Sequence, residues 1–126
     1  MTDGVLSSLQ AALLAAPSAT ALVYLGDNIY PNGIPAQLHT MEWENARRNL
    51  LRQIEPLKPF TTKIFFIPGN HDWENHSKDG WRAVIRETEM IEEALGPGHS
   101  LPPNGCPGPH RVEIFPGLQL IALDSS

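Results

Sequence analysis

The chain has 126 residues, 41% hydrophobic and 18% charged, the composition of an ordinary globular protein; at this length about two-thirds of the unfolded surface is buried on folding. A net charge of −5 with no Lys/Arg cluster to override it argues against a nucleic-acid or anionic-membrane surface and leaves small molecules or proteins as partners. Cys106 is the only cysteine, which excludes an intrachain disulfide and a cysteine-built zinc site and leaves the redox compartment open.

In chain order, Leu6, Leu9, Leu13 and Ala16 recur at helical spacing, Asp3 stands where a cap would, and Pro17 with Ser18 ends the run. The pattern predicts an amphipathic helix over residues 4–16. Its apolar part has no basic residue before it and is too short to span a bilayer, so neither a signal peptide nor a membrane segment is expected in this chain. The compartment stays unknown, export of a longer parent included. Residues 21–25 (ALVYL) form a short apolar run bounded by turn residues and predict a strand covered on both faces.

After the 26–33 loop, Trp43, Ala46, Leu50, Ile54 and Leu57 share one face of a predicted helix over 36–55, stopped by Pro56 and Pro59. Residues 63–67 predict the next strand, and a strand–helix–strand of this length implies a parallel crossover, with both following loops at one sheet edge. Trp81, Val84, Ile85, Thr88, Ile91 and Leu95 predict a third helix capped by Ser77 or Asp79. Residues 96–109 are too rich in Pro and Gly for regular structure. Residues 111–115, with Val112 and Ile114 inward, turn at Pro116-Gly117 into a buried strand over 118–123, which predicts a hairpin. The expected order is α-β-α-β-α-β-β, an α/β chain.

Two post-strand stretches carry chemistry: Gly26-Asp27-Asn28-Ile29-Tyr30, and Gly69-Asn70-His71-Asp72 after Pro68. Alone, the first reads equally as a structural turn, and the second has a turn reading in which Asn or Asp caps a helix. Together, at one sheet edge, they suit a pair of hard or borderline metal ions: a carboxylate such as Asp27 bridges cations, the Asn70 amide oxygen ligates without adding charge, and a Tyr30 phenolate suits a trivalent ion. His71 would then protonate a leaving oxygen, with Asp72 orienting the imidazole. Glycines 26 and 69 let the backbone pass close to ions and substrate. His39 reads as a surface residue of the second helix and His76 as a solvated loop residue, a place on the pocket rim being the alternative, while His99 and His110 have no partner at ligand spacing. Trp73 and Trp81 read as core or loop anchors, Cys106 as a small packed residue, and Glu42, Glu44, Arg47 and Arg48 as a solvated helix face.

LGDNIY and IPGNHDW resemble the second and third signature blocks of the calcineurin-like metallophosphoesterases, and the GDxxY form with Tyr30 is similar to the purple (tartrate-resistant) acid phosphatase branch. LQLIALDSS resembles the strand that follows in that branch, so the likeness runs from about residue 20 to the end. It implies a β-sandwich flanked by helices and a phosphomonoesterase with two metal ions, Fe with Fe, Zn or Mn, that activate a water against a small-molecule or protein phosphoester. Asp27 would bridge the metals, Tyr30 would bind the ferric-type ion and Asn70 the divalent one. His71 would contact the phosphate and assist the leaving group, supported by Asp72. The family's first block, of the Asp-x-His or Asp-x-Gly type, would lie before residue 1 and its later His blocks beyond residue 126. The 126 residues are therefore expected to be one partial domain, inactive alone. The alternatives are a phosphodiesterase or nucleotidase of the same superfamily, and a truncated, non-catalytic chain.

Overall fold

The computed structural model describes residues 4–18 and 20–125, without the side chains of residues 61–63. Helix α1 (Gly4–Ala15) turns its half-buried Leu9 and Leu13 onto the core and leaves Val5 and Leu14 in solvent. Asp3, the expected cap, lies outside the described residues. Strand β1 (Leu22–Leu25) pairs in parallel with β2 (Ile64–Ile67), Leu22 opposite Ile64 and Leu25 opposite Ile67, so both strands end at one edge. Between them runs α2 (Met41–Ile54) and a 3₁₀ segment (Glu55–Lys63). Helix α3 (Gly80–Leu95) follows β2, and an antiparallel hairpin of β3 (His110–Phe115) and β4 (Leu118–Ala122) closes the chain.

Period-two alternation divides the core. Leu22, Tyr24, Ile64 and Phe66 face the helices and pack with Ala46, Leu50, Ile54, Leu57 and Ile91. Tyr24 stacks flat on Phe66, with ring centroids 4.5 Å apart. Val23 and Phe65 face the other way, onto Val112, Ile114, Leu120 and Ala122 of the hairpin. Two small sheets thus pack face to face with helices on one side, a mixed α/β architecture consistent with the expected sandwich fragment.

Several boundaries and faces differ from expectation. Helix α2 starts at Met41, five residues late, because Thr40 caps it: its hydroxyl accepts the Trp43 N–H at 3.2 Å, and residues 31–39 are spent in turns. Pro56 ends the α-helix but not the helical path, since a proline is tolerated in the first turn of the 3₁₀ segment. Strand β1 is half-buried rather than covered, with Leu25 exposed, because among the described residues it has a neighbour on one edge only. Strand β4 buries Ala122 alone and leaves Leu118 and Ile121 in solvent, as a hairpin with one open face does. Helix α3 turns Ala83, Val84, Glu87, Thr88 and Ile91 inward, while Trp81 is exposed with Arg82 over its ring. Asp79 precedes it without a side-chain capping bond.

The 96–109 loop does one regular thing. Its Ser100 bridges to Phe66, with Phe66 N–H donating to His99 O at 2.7 Å and Leu101 N–H to Phe66 O at 2.8 Å, so β2 has company on both edges.

The inward face of α3 makes a contrast that urea unfolding can check. Ile91→Ala, at a site with no solvent exposure, should lose about 2–5 kcal/mol; Trp81→Ala, a large residue held at the surface, should lose no more than about 1 kcal/mol.

Candidate functional site

The loops leaving β1 and β2 touch through glycine. A Cβ on Gly26 would stand 2.8 Å from Gly69 Cα, and one on Gly69 would collide with the Asp27 amide nitrogen and carboxylate. Only residues without a side chain let the two turns meet this closely. Asp27 itself sits in the left-handed region at φ 53° and accepts the His71 backbone N–H on Oδ1 at 3.2 Å. Its Oδ2 is 3.4 Å from the Tyr30 hydroxyl. The Tyr30 and His71 rings lie against each other, centroids 4.0 Å apart. Partial desolvation, then the Asp27 charge, pushes the Tyr30 phenol above its ordinary pKa and so disfavours the phenolate.

His71 is oriented by a different group from the one expected. Its Nδ1 is 2.7 Å from the Pro31 carbonyl oxygen. A carbonyl only accepts, so Nδ1 carries a proton and Nε2 is the nitrogen open to proton exchange. Asp72 makes no bond to the imidazole. It is fully buried, and its carboxylate accepts the backbone N–H groups of Asn28 (3.1 Å), Ile29 (2.9 Å) and Gly69 (2.8 Å). Adjacent residues on a tight turn point their side chains apart, and Asp72 points inward, stapling the first loop to the second. Burial pushes its pKa up against the opposing pull of the three amide donors.

Asn70 is exposed at the tip of the second loop, and its amide NH₂ donates to Asn75 Oδ1 at 3.2 Å. Asp27, Tyr30, Asn70 and His71 thus share one sheet edge. The sequence reading missed the layer beneath them. Asn28 is buried, its side-chain NH₂ donating to Ile67 O (3.1 Å) and Glu87 Oε1 (2.9 Å), and its carbonyl accepting Gln53 Nε2 (2.7 Å). Glu87 Oε2 is buried with no hydrogen-bond partner among the described residues. Burial first, and then the Asp72 charge, pushes the Glu87 carboxyl well up. A polar residue inside the apolar stripe of Val84, Thr88 and Ile91 was the signal available for it.

The remaining histidines have other settings. His39 and His76 are exposed, His99 Nδ1 contacts Ile64 O, and His110 opens β3. Cys106 is exposed rather than packed. Trp73 is an anchor: its indole N–H donates to Asp124, tying the second loop to the end of the hairpin. Among the described residues no three His, Cys, Asp or Glu side chains cluster as a metal site.

Two measurements check this reading. Asp72→Ala leaves three backbone donors without this acceptor, two of them buried and one part-buried, and should lose about 3 kcal/mol or more by urea unfolding. Glu87 holds its proton more tightly folded than unfolded, so its contribution is full below its ordinary value of 4.5 and is lost as pH rises toward the raised value. The stability of wild type relative to Glu87→Gln should accordingly fall by up to about 1.4 kcal/mol per pH unit above that point and then level off.

The family model of the calcineurin-like phosphoesterases matches residues 3–125. Among curated proteins and among solved structures no match is found. With the match spanning nearly the whole chain and the two glycine-hinged loops meeting at one sheet edge, the chain belongs to the calcineurin-like phosphoesterases, a family that suggests metal-dependent hydrolysis of phosphate esters.

Proposed function

We propose that the protein is a phosphomonoesterase of the purple acid phosphatase type, in which Asp27 would be shared by two metal ions, Tyr30 would hold a ferric-type ion and Asn70 a divalent one (Fe, Zn or Mn). The observation that carries this reading is the backbone hydrogen bond from His71 to Asp27 Oδ1 at 3.2 Å, which joins the two loops at the parallel strand ends. The donors fit the group: a carboxylate, a phenol and an amide are all oxygen ligands for hard or borderline cations, and the Tyr30 hydroxyl is already 3.4 Å from Asp27 Oδ2. When bound, two such ions would clamp the phosphate and acidify a water.

The chain's own residues supply orientation and a proton. His71, held by Nδ1–H on the Pro31 carbonyl, has Nε2 left to carry the second proton of the imidazolium and give it to the departing oxygen of a small-molecule or protein phosphoester, leaving the neutral ring. Asp72 acts one step back, holding the backbone that carries Asp27 and Asn70. A second reading, a chain that is not catalytic, is favoured by the ligand count: these loops bring together three oxygen ligands, fewer than two cations take.

The test is hydrolysis of a phosphate monoester and of a diester with added Mn²⁺, Zn²⁺ or iron. Monoester turnover that falls at least about 100-fold in Asp27→Ala and Asn70→Ala and is unchanged in His39→Ala supports the proposal. Preference for the diester would move it to the phosphodiesterases, and no turnover with any metal by a chain extended through the family's first and later blocks would sink it in favour of the second reading. His71→Ala should lose about 10²–10⁴-fold on alkyl phosphates, whose alkoxide leaves poorly unprotonated. The loss should be much smaller on p-nitrophenyl phosphate, whose phenolate leaves without help.

A further inference from the structure

We infer that Asn75 is a positioning residue that turns the Asn70 carboxamide so that its oxygen, not its NH₂, is presented at the strand edge. The inference rests on the reading of Asn70 as a metal ligand. A carboxamide has two nearly isosteric ends, and only the oxygen binds a cation. Asn70 is exposed, and the one side-chain hydrogen bond it makes among the described residues is Nδ2 to Asn75 Oδ1 at 3.2 Å. That bond commits the NH₂ end to Asn75 and leaves Oδ1 unspent.

Asn75 is itself held in one orientation. Its NH₂ donates to Asn32 Oδ1 at 3.0 Å and lies 3.5 Å from the Pro31 carbonyl, the same oxygen that receives His71 Nδ1. Its backbone N–H donates to Asn70 O at 2.8 Å, closing a ring around the amide it steers. One relay of hydrogen bonds therefore orients both the proposed ligand and the proposed acid from the first loop.

The backbone bends unusually far to make this possible. Glu74, Asn75 and His76 are three consecutive non-glycine residues at positive φ (51°, 52° and 64°). Such a run is disfavoured for L-residues, Asn being among the more tolerant. It is held in place by Glu74, which accepts from Ser77 Oγ at 2.8 Å and pairs with Arg86 of α3 at 3.4 Å. A left-handed turn is what folds the Asn75 side chain back over Asn70, and strain that the surroundings over-determine is a reason to look for function.

The substitution Asn75→Gly separates positioning from fastening, because glycine accepts the positive φ while removing only the side chain. Mn²⁺ binding, followed by titration calorimetry and by loss of the free-ion EPR signal, should weaken about 10–100-fold in Asn75→Gly, while the urea midpoint stays at or above that of wild type. In an Asn70→Asp background, where either end of the side chain is an oxygen, Asn75→Gly should change Mn²⁺ affinity less than about 2-fold. Unchanged affinity in the single variant, a lowered urea midpoint, or an equal loss in both backgrounds would overturn the inference. If wild type binds no Mn²⁺, or Asn70→Ala binds it as wild type does, the ligand reading of Asn70 fails and takes the inference with it. If Asn70→Ala is weakened and Asn75→Gly is not, the inference alone fails.

Discussion

A buried carboxylate with no solvent exposure holds the site together. Asp72 takes the amide hydrogens of Asn28 and Ile29 from the first loop and of Gly69 from its own. Charge-assisted bonds of this kind are stronger than neutral ones, and inside a protein each is strengthened further by the low dielectric. Removing the acceptor would leave donors that cannot reach water. The position of Asp27, and through its carboxylate that of His71 N–H, follows from where this clasp sets the first loop.

The clasp works only because the strands deliver both loops to the same edge. Parallel pairing of Leu22–Leu25 with Ile64–Ile67 does that, and hydrophobic packing keeps the pair in register from both sides. On one face Tyr24 and Phe66 stack over the helices; on the other Val23 and Phe65 meet the hairpin. A slip of one residue would exchange these two faces, which is why the register is well determined. The hairpin contributes a second tie, through Asp124 and the indole of Trp73, at the far end of the second loop.

Beneath the loops lies a small polar layer in an otherwise apolar core. Glu87 from α3, Asn28 from the first loop and Gln53 from α2 meet there, so three elements share one hydrogen-bonded patch. Burying Glu87 with an oxygen that has no hydrogen-bond partner among the described residues costs stability, of order 1–3 kcal/mol for a neutral group and far more for an ionised one. A protonated Glu87 next to an ionised Asp72 is the arrangement that limits this cost, since two buried negative charges would repel. The layer couples the pitch of α3 to the first loop.

Much of this was legible in the residues. Short apolar runs closed by Gly-Asp and Pro-Gly-Asn identify the strands and the loops after them, because local burial pattern and turn chemistry are written in consecutive positions. The parallel crossover, and with it the meeting of the two loops at one edge, followed from the length of the intervening helix. Side-chain direction did not follow. Asp72 stands next to His71 in the chain and so reads as its partner, yet the turn sends the two side chains apart, and a carbonyl from Pro31 takes the imidazole. For α3 the expected stripe holds at Val84, Thr88 and Ile91 but not at Trp81, which is exposed, while Gly80 and Glu87, outside that stripe, are buried. Gly80 lies against the Trp73 carbonyl where any Cβ would collide. The sequence by itself thus determined which segments form strands, where the loops converge and which family the chain resembles. Only the tertiary structure decided what Asp72, Glu87 and Asn75 bond to, because those partners lie on other elements and depend on orientations that no local pattern encodes.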